Sequence, residues 1–133
     1  MTLVVDASVA TKWVLPEVDS DRAVTLRGSG EDLIAPSLIL AEVGNALWKS
    51  AARGDTSKVD AIRALAAVTG HLTALISLDE LAEQATALAI DLRHPIYDCF
   101  YLALALRENA SLVTADRRML AAAKTARVKA RLL

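Results

Sequence analysis

The chain has 133 residues, of which 54% are hydrophobic, so it can bury one domain core without a disulfide or a structural metal. Its formal net charge is −1, and its single cysteine excludes an internal disulfide and a cysteine-based zinc cluster. No apolar run reaches the length of a membrane span, and no secretory signal pattern is present. We therefore expect a single domain over residues 1–133 in a soluble, cytoplasmic protein.

The last quarter of the chain is basic, although the whole chain is close to neutral. Taken singly, such cations are typical of helix C-termini and solvated surfaces. Taken together they would suit a polyanion, and Lys12, Arg117 and Arg118 are candidate contacts for flanking phosphates. The cations of this segment are Arg107, Arg117, Arg118, Lys124, Arg127, Lys129 and Arg131.

The first predicted element is a buried strand that begins at Leu3 and stops at the carboxylate of Asp6. A continuous apolar run of this length is typical of a parallel strand, and the residue that ends it emerges at the carboxyl edge of the sheet. Open α/β folds bind their ligands at that edge, which makes Asp6 a candidate active-site residue. Its ordinary role, as a turn former or as the N-cap of the next helix, is an open alternative.

Helices and strands alternate along the rest of the chain. We predict helices at residues 9–15, 19–28, 37–53, 56–68, 79–92, 96–108 and 117–124. Further strands are predicted at residues 31–36, 73–78, 111–114 and 127–132. This alternation predicts a parallel sheet covered by helices on both faces.

Three further acids occupy positions that suit a site at the same edge. Glu42 lies inside an otherwise apolar helix, Asp98 lies in the first turn of the most apolar helix, and Asp116 follows a predicted strand. Right-handed crossovers bring strand ends and the starts of the following helices to one edge, so the aspartates can converge there. Glu42 depends on tertiary packing to reach that edge, and Asn45, three residues on, shares its helix face.

Each of these acids also has an ordinary structural explanation. Glu42 fits a solvated helix position, Asp98 a first-turn acid that complements the helix dipole, and Asp116 an N-cap. Clustered carboxylates repel one another, so a cluster requires a neutralising cation or bound protons. A few carboxylates with an amide and water suit a hard cation, Mg²⁺ or Mn²⁺.

Four motifs contain these acids and cover nearly the whole chain in order. They occupy residues 4–9, 42–47, 96–105 and 112–116, and they read VVDASV, EVGNAL, IYDCFYLALA and LVTAD. Each motif alone is weak, but the ordered set resembles the four motifs of the PIN-domain family. The set is most similar to the VapC-type toxins of prokaryotic toxin–antitoxin pairs.

The resemblance implies an α/β fold, a three-layer α/β/α sandwich with a central parallel sheet, and the activity of a Mg²⁺- or Mn²⁺-dependent endoribonuclease. It also implies an RNA substrate, a cognate antitoxin and a homodimer. The family's acidic positions, which hold metal and catalyse, correspond to Asp6, Glu42, Asp98 and Asp116. Its polar supporting positions correspond to Ser8, Asn45 and Thr114.

A metal site of this kind makes water the nucleophile, because a bound cation lowers the pKa of a water ligand. Neither of the two histidines lies in any of the four motifs, which argues against a metal-independent ribonuclease that uses two imidazoles. We expect His71 and His94 at the surface or in connections.

Three other interpretations compete with the nuclease. A phospho-acceptor receiver-like signalling domain resembles paired acids after the first strand, whereas Asp6 is followed by Ala7 and Ser8. A phosphatase with an aspartyl nucleophile would require a second acid where Ser8 stands. A catalytically silent binding protein would use the acids only as helix caps.

Overall fold

The computed structural model describes residues 1–133, and its centre is a five-stranded sheet in which all neighbouring strands run parallel. The apolar run at the start of the chain forms the middle strand, where both faces are covered and its residues are buried. The spatial order is β3-β2-β1-β4-β5. The strands are β1 (Thr2–Val5), β2 (Asp32–Pro36), β3 (Ala74–Ile76), β4 (Ser111–Thr114) and β5 (Ala130–Leu132).

Seven helices flank the sheet, and the bounds of each are as follows. They are α1 (Ala7–Val14), α2 (Ser20–Arg27), α3 (Leu38–Ala52), α4 (Lys58–His71), α5 (Leu78–Leu92), α6 (Ile96–Glu108) and α7 (Arg117–Thr125). Helices α1, α3 and α4 pack against one another, while α6 packs against α5 and against β1, β2 and β4. Residues 99–105 of α6 are all buried because the sheet and α5 cover most of its circumference.

The predicted α/β/α sandwich with a central parallel sheet is confirmed, and every predicted element is present. Gly54 adopts a left-handed φ of 82° directly after the α3 C-cap, as its position after the last apolar residues predicts. Helix α4 continues three residues beyond the predicted end at residue 68, through Gly70. Strands β3 and β5 are each shorter than predicted, and both lie at a sheet edge, where they pair with one neighbour only. None of the helices is long and apolar enough to cross a bilayer.

The topology places a crevice beside the middle of the sheet. Strand β1 pairs with β2 on one side and with β4 on the other, so the chain connections diverge at this point. Parallel sheets bind ligands at the carboxyl ends of strands that flank such a switch point. Asp6 follows β1 directly and Asp116 follows β4 after one residue, so both lie at this crevice.

The connection between α5 and α6 is a sharp turn. Arg93 takes a left-handed φ of 52° at the end of α5, and Pro95 then stands directly before the first residue of α6. Proline favours an extended conformation in the residue before it, which ends α5 and separates the two helices at His94. The first turn of α6, with Asp98, therefore begins two residues after His94.

Candidate active site

Asp6 is a buried carboxylate with a hydrogen-bond partner on both oxygens. It is 4% exposed and caps α1, where Oδ1 accepts from the backbone N–H groups of Ser8 at 3.0 Å and Val9 at 3.3 Å. The Ser8 hydroxyl donates to the same oxygen. Oδ2 accepts a hydrogen bond of 2.6 Å from Thr114 Oγ1. These contacts fix the orientation of the carboxylate at the end of β1.

Ser8 and Thr114 also connect the ends of the two central strands. Ser8 Oγ accepts a hydrogen bond of 2.9 Å from the N–H of Ala115, which follows β4. Thr114 Oγ1 accepts one of 3.0 Å from the N–H of Asp116 while it donates to Asp6. The two hydroxyls thus hold the β4 end against the β1 end, and both lie in direct contact with the buried carboxylate.

Glu42 reaches the same edge from α3 and is held by a tyrosine. Tyr101 of α6, which is 1% exposed, donates a hydrogen bond of 2.6 Å from its hydroxyl to Glu42 Oε1. Burial, and then the adjacent Glu42 charge, raise the pKa of Tyr101 well above its usual value, so the phenol stays a donor. Sequence reasoning missed Tyr101. Its signal was a phenol in an aliphatic helix one turn after Asp98, because a buried tyrosine hydroxyl requires a partner.

Asp98 is paired with His94, which sequence reasoning also missed. Their Nε2 and Oδ2 atoms lie 2.6 Å apart across the α5–α6 turn, and the His94 side chain is only 16% exposed. His94 lies in the connection between α5 and α6, as expected, but its contact with a candidate catalytic acid was not predicted. His71 ends α4 and packs edge-on against the Trp13 ring at a centroid distance of 5.8 Å. The available signal for His94 was its spacing of four residues from Asp98.

The acids act on one another electrostatically. Burial raises the pKa of Glu42, the Tyr101 hydrogen bond opposes that rise, and the charges of Asp98 and Asp6 add to it. Burial also raises the pKa of Asp6, against the hydrogen bonds that it accepts. Raised carboxyl pKa values mean that this edge disfavours accumulated negative charge and favours a proton or a cation.

Asp116 and Asn45 are less closely integrated than the other predicted residues. Asp116 is exposed and caps α7, with Oδ1 accepting from the N–H of Arg118 at 2.8 Å. It meets Asp6 only through the shared hydroxyl of Thr114. Asn45 is exposed one turn after Glu42 and makes no hydrogen bond to any of the acids. Asp6, Ser8 and Thr114 are thus joined by hydrogen bonds, whereas Glu42 and Asp98 act on that group only through their charges. Asp116 and Asn45 lie toward the rim of the site.

The carboxylate donors fit a hard divalent cation in their chemistry. Glu42, Asp98 and Asp116 each use one oxygen in a positioning hydrogen bond and have no protein partner on the other. No buried side-chain oxygen or nitrogen lacks a partner, so these free oxygens face solvent. No three of the acids are gathered around one point. Mg²⁺ and Mn²⁺ prefer oxygen ligands, and carboxylate oxygens without a protein partner are available to bind them.

A cavity of about 330 Å³ opens over this edge. The Lys12 ammonium at its wall donates a hydrogen bond of 2.7 Å to the carbonyl of Val18, which holds the cation on the loop after α1. The cavity gives solvent access to Glu42 and to the Ser8 hydroxyl. Its lining residues are Ala7, Ser8, Thr11, Lys12, Glu17, Glu42 and Ala115.

The parallel sheet and its acid-lined switch point define a class of α/β domain with a carboxylate site at the carboxyl edge. The chain belongs to the PIN-domain family, because a model of that domain matches residues 3–125. It is 35% identical over 121 residues to Ribonuclease VapC3 of Pyrobaculum aerophilum, a match that covers 90% of this chain and 92% of that protein. The resemblance inferred from the four motifs is thereby confirmed.

Solved structures agree with this assignment. PAE2754 from Pyrobaculum aerophilum is 28% identical, with a TM-score of 0.71 over 92% of this chain and 84% of that one. VapBC2 from Rickettsia felis, bound to a DNA fragment from their promoter, has a TM-score of 0.75 over 100% of this chain and 99% of that one. Its sequence identity of 16% makes it evidence for the fold alone.

Proposed function

We propose that this protein is a metal-dependent endoribonuclease that hydrolyses RNA phosphodiester bonds and serves as the toxin of a type II toxin–antitoxin system. The observation that carries the proposal is the placement of Asp6 at the end of β1 and of Glu42, held by Tyr101, at the same sheet edge, where the charges of Asp98 and Asp6 help to raise the pKa of Glu42. Membership of the PIN-domain family and the 35% identical relative named as a ribonuclease support it.

The proposed catalytic and metal-binding residues are Asp6, Glu42, Asp98 and Asp116. The supporting polar groups are Ser8, Thr114 and Asn45. Bound Mg²⁺ or Mn²⁺ would supply positive charge for the phosphate and an acidified water as the nucleophile. The chain's own contribution is to hold the carboxylates in fixed orientations, which the hydroxyls of Ser8, Thr114 and Tyr101 do.

Glu42 is the best-placed proton acceptor of the set. Its Oε1 accepts a hydrogen bond from Tyr101, its Oε2 has no hydrogen-bond partner in the protein, and the residue lines the cavity. A carboxylate with one free oxygen at the wall of an open cavity meets the geometric requirement for a general base that takes a proton from water. Asp6 is buried and hydrogen-bonded on both oxygens, which suits an orienting role.

The proposal includes a cognate antitoxin that binds and inhibits the toxin, a homodimer, and action on RNA in the cytoplasm. We extend to this chain the assembly of the Rickettsia felis neighbour, which was crystallised as VapBC2 bound to a DNA fragment from their promoter. Trp48, an aromatic residue exposed on α3, is a candidate contact for a partner helix.

The proposed activity is tested with the purified chain and total RNA. We expect fragments with Mg²⁺ or Mn²⁺, none in EDTA, and recovery when Mn²⁺ is added back. Glu42→Gln should lose cleavage, whereas Asp91→Asn, which neutralises an exposed acid on α5, should retain it. Cleavage that persists under exhaustive chelation, or in Glu42→Gln, contradicts the proposed mechanism.

A further inference from the structure

A second cavity of about 330 Å³ lies between α7 and the turn that joins α5 to α6. It shares no lining residue with the cavity over Glu42. Its volume is at the lower end of small-molecule sites, roughly 300 Å³, and so suits one nucleotide rather than a helix or a folded partner. Its walls are Leu92, His94, Arg118, Ala121, Ala122 and Thr125.

This cavity adjoins two of the proposed catalytic acids. His94 in its wall contacts Asp98 at 2.6 Å, and the N–H of Arg118 donates to Asp116 Oδ1 at 2.8 Å. Each of these two acids is therefore in direct contact with a residue that lines the cavity. An RNA strand with its scissile phosphate at the acids would place a neighbouring nucleotide here.

The lining has the chemistry of a nucleotide site. It contains no acid, and its guanidinium, Arg118, forms no ion pair with any carboxylate. An unpaired guanidinium suits phosphate because it donates two parallel hydrogen bonds. A nucleotide site also requires an apolar surface for the sugar or base, and Leu92, Ala121 and Ala122 supply it.

The two cavities beside α1 lack this combination. The largest, about 530 Å³ between α1 and α3, contains Lys49 and Arg53 but also Glu17 and Asp55. There Arg53 is already paired with Asp55 at 3.2 Å. The cavity over Glu42 has two glutamates in its wall, and its single lysine is held by a backbone carbonyl. A phosphate is favoured where the cation is free and no acid faces it.

We propose that the α7 cavity is a nucleotide subsite, in which Arg118 binds the phosphate of a ribonucleotide adjacent to the cleaved bond and Leu92 and Ala122 contact its sugar or base. This subsite rests on the proposed ribonuclease function and adds a substrate-binding residue to it. Arg118 is a binding residue here, separate from the carboxylates that carry the chemistry.

The test measures RNA binding apart from cleavage. In a Glu42→Gln background with EDTA, a fluorescein-labelled randomised hexaribonucleotide reports affinity by anisotropy over a range of salt concentrations. Arg118→Ala should weaken binding about tenfold and lower the salt slope by about one phosphate contact. Ala121→Leu, which fills the cavity without a charge change, should also weaken it. Lys124→Ala removes a cation from the same helix outside this cavity and should change affinity less than about twofold.

Competition distinguishes a nucleotide site from a simple phosphate site. Adenosine monophosphate should displace the labelled RNA at lower concentration than inorganic phosphate, and this difference should disappear in Ala121→Leu. Equal competition by the two probes, or equal losses in Arg118→Ala and Lys124→Ala, overturns the subsite.

Cleavage assays keep this test separate from that of the proposed function. With Glu42 intact and Mg²⁺ present, Arg118→Ala should raise KM for RNA while kcat is retained. A chain that binds the hexaribonucleotide through Arg118 but cleaves no RNA overturns the ribonuclease proposal. A chain that cleaves RNA equally well with and without Arg118 overturns the subsite alone.

Discussion

The Tyr101 hydroxyl donates a hydrogen bond of 2.6 Å to Glu42 Oε1, and it does so from the same helix that carries Asp98 one turn earlier. Helix α6 is buried between the sheet and α5, so its tyrosine has little freedom to move. One rigid helix therefore positions two acids, one through its own backbone and one through a side chain that reaches α3.

Tyr101→Phe removes this hydrogen bond and preserves the ring. We expect kcat/KM for RNA to fall by about 10- to 100-fold, the usual effect of losing a partner that orients a metal-site ligand. The free energy of unfolding should fall by roughly 1 kcal/mol, since Glu42 is partly exposed and can rebind water. Cleavage kinetics and urea unfolding measure the two effects. Tyr97→Phe, on the exposed neighbour of Asp98, is the matched control. Equal activity of the two variants would show that Glu42 needs no positioning.

The pH dependence of the metal-free protein tests the charge on Glu42. Burial and neighbouring charges raise its folded pKa above the unfolded value, so the ionised carboxyl destabilises the folded state. That penalty is complete above the raised pKa and vanishes as the pH falls through it to the unfolded value, about 4.3. Glu42→Gln should therefore unfold at higher urea concentration than wild type in EDTA at pH 7, with the difference lost near pH 4.

Glu42→Gln removes a charge that burial and neighbouring acids destabilise, whereas Asp98→Asn also removes a charge that has an attractive partner in His94. The glutamine retains an oxygen that can accept from Tyr101. Asp91→Asn controls for removal of a surface charge. A variant no more stable than wild type at neutral pH, or one whose advantage grows in acid, would exclude a destabilising charge on Glu42.

The strands and helices could be predicted because their signals are local. The apolar run before Asp6 and the nearly all-apolar α6 specify buried elements on their own. The partners of the acids could not be predicted in this way, because the contact from Tyr101 to Glu42 joins residues on two helices that meet only in the folded chain. His94 was overlooked because a histidine before a proline is typical of a loop, and its contact with Asp98 depends on the geometry of the turn.

Asn45 is a residue that the sequence placed with the acids and that the structure leaves exposed. A spacing of three residues puts it about 60° around the helix from Glu42, close enough to suggest a common face. In the structure the two side chains differ, because Glu42 accepts a hydrogen bond from Tyr101 whereas Asn45 is exposed to solvent. Helical periodicity identifies a face, but it does not resolve which side chain on that face meets the neighbouring helix.

Thr114→Val tests the hydroxyl that links the two strand ends. The threonine is fully buried and serves both Asp6 Oδ2 and the N–H of Asp116. Valine preserves the shape and leaves both groups without that partner, so we expect a loss of about 1–3 kcal/mol in the free energy of unfolding. Thr25→Val is the control, since that hydroxyl is exposed and bonds only within α2. Similar urea midpoints for the two variants would contradict a structural role for this link.

Metal binding should couple to stability through Asp98. A cation that binds only the folded state stabilises it by mass action, by about 2.7 kcal/mol at a concentration one hundred times Kd. Asp98 has its Oδ2 held by His94 and its Oδ1 free, so replacement by asparagine removes the charge while keeping the size of the side chain.

We expect Mg²⁺ to raise the melting temperature of wild type and of Asp91→Asn equally, and that of Asp98→Asn much less. Melting curves in EDTA and in a Mg²⁺ series measure this directly, with no dependence on cleavage. If Mg²⁺ stabilises Asp98→Asn as strongly as wild type, Asp98 is a first-turn helix acid paired with His94 and lies outside the metal site.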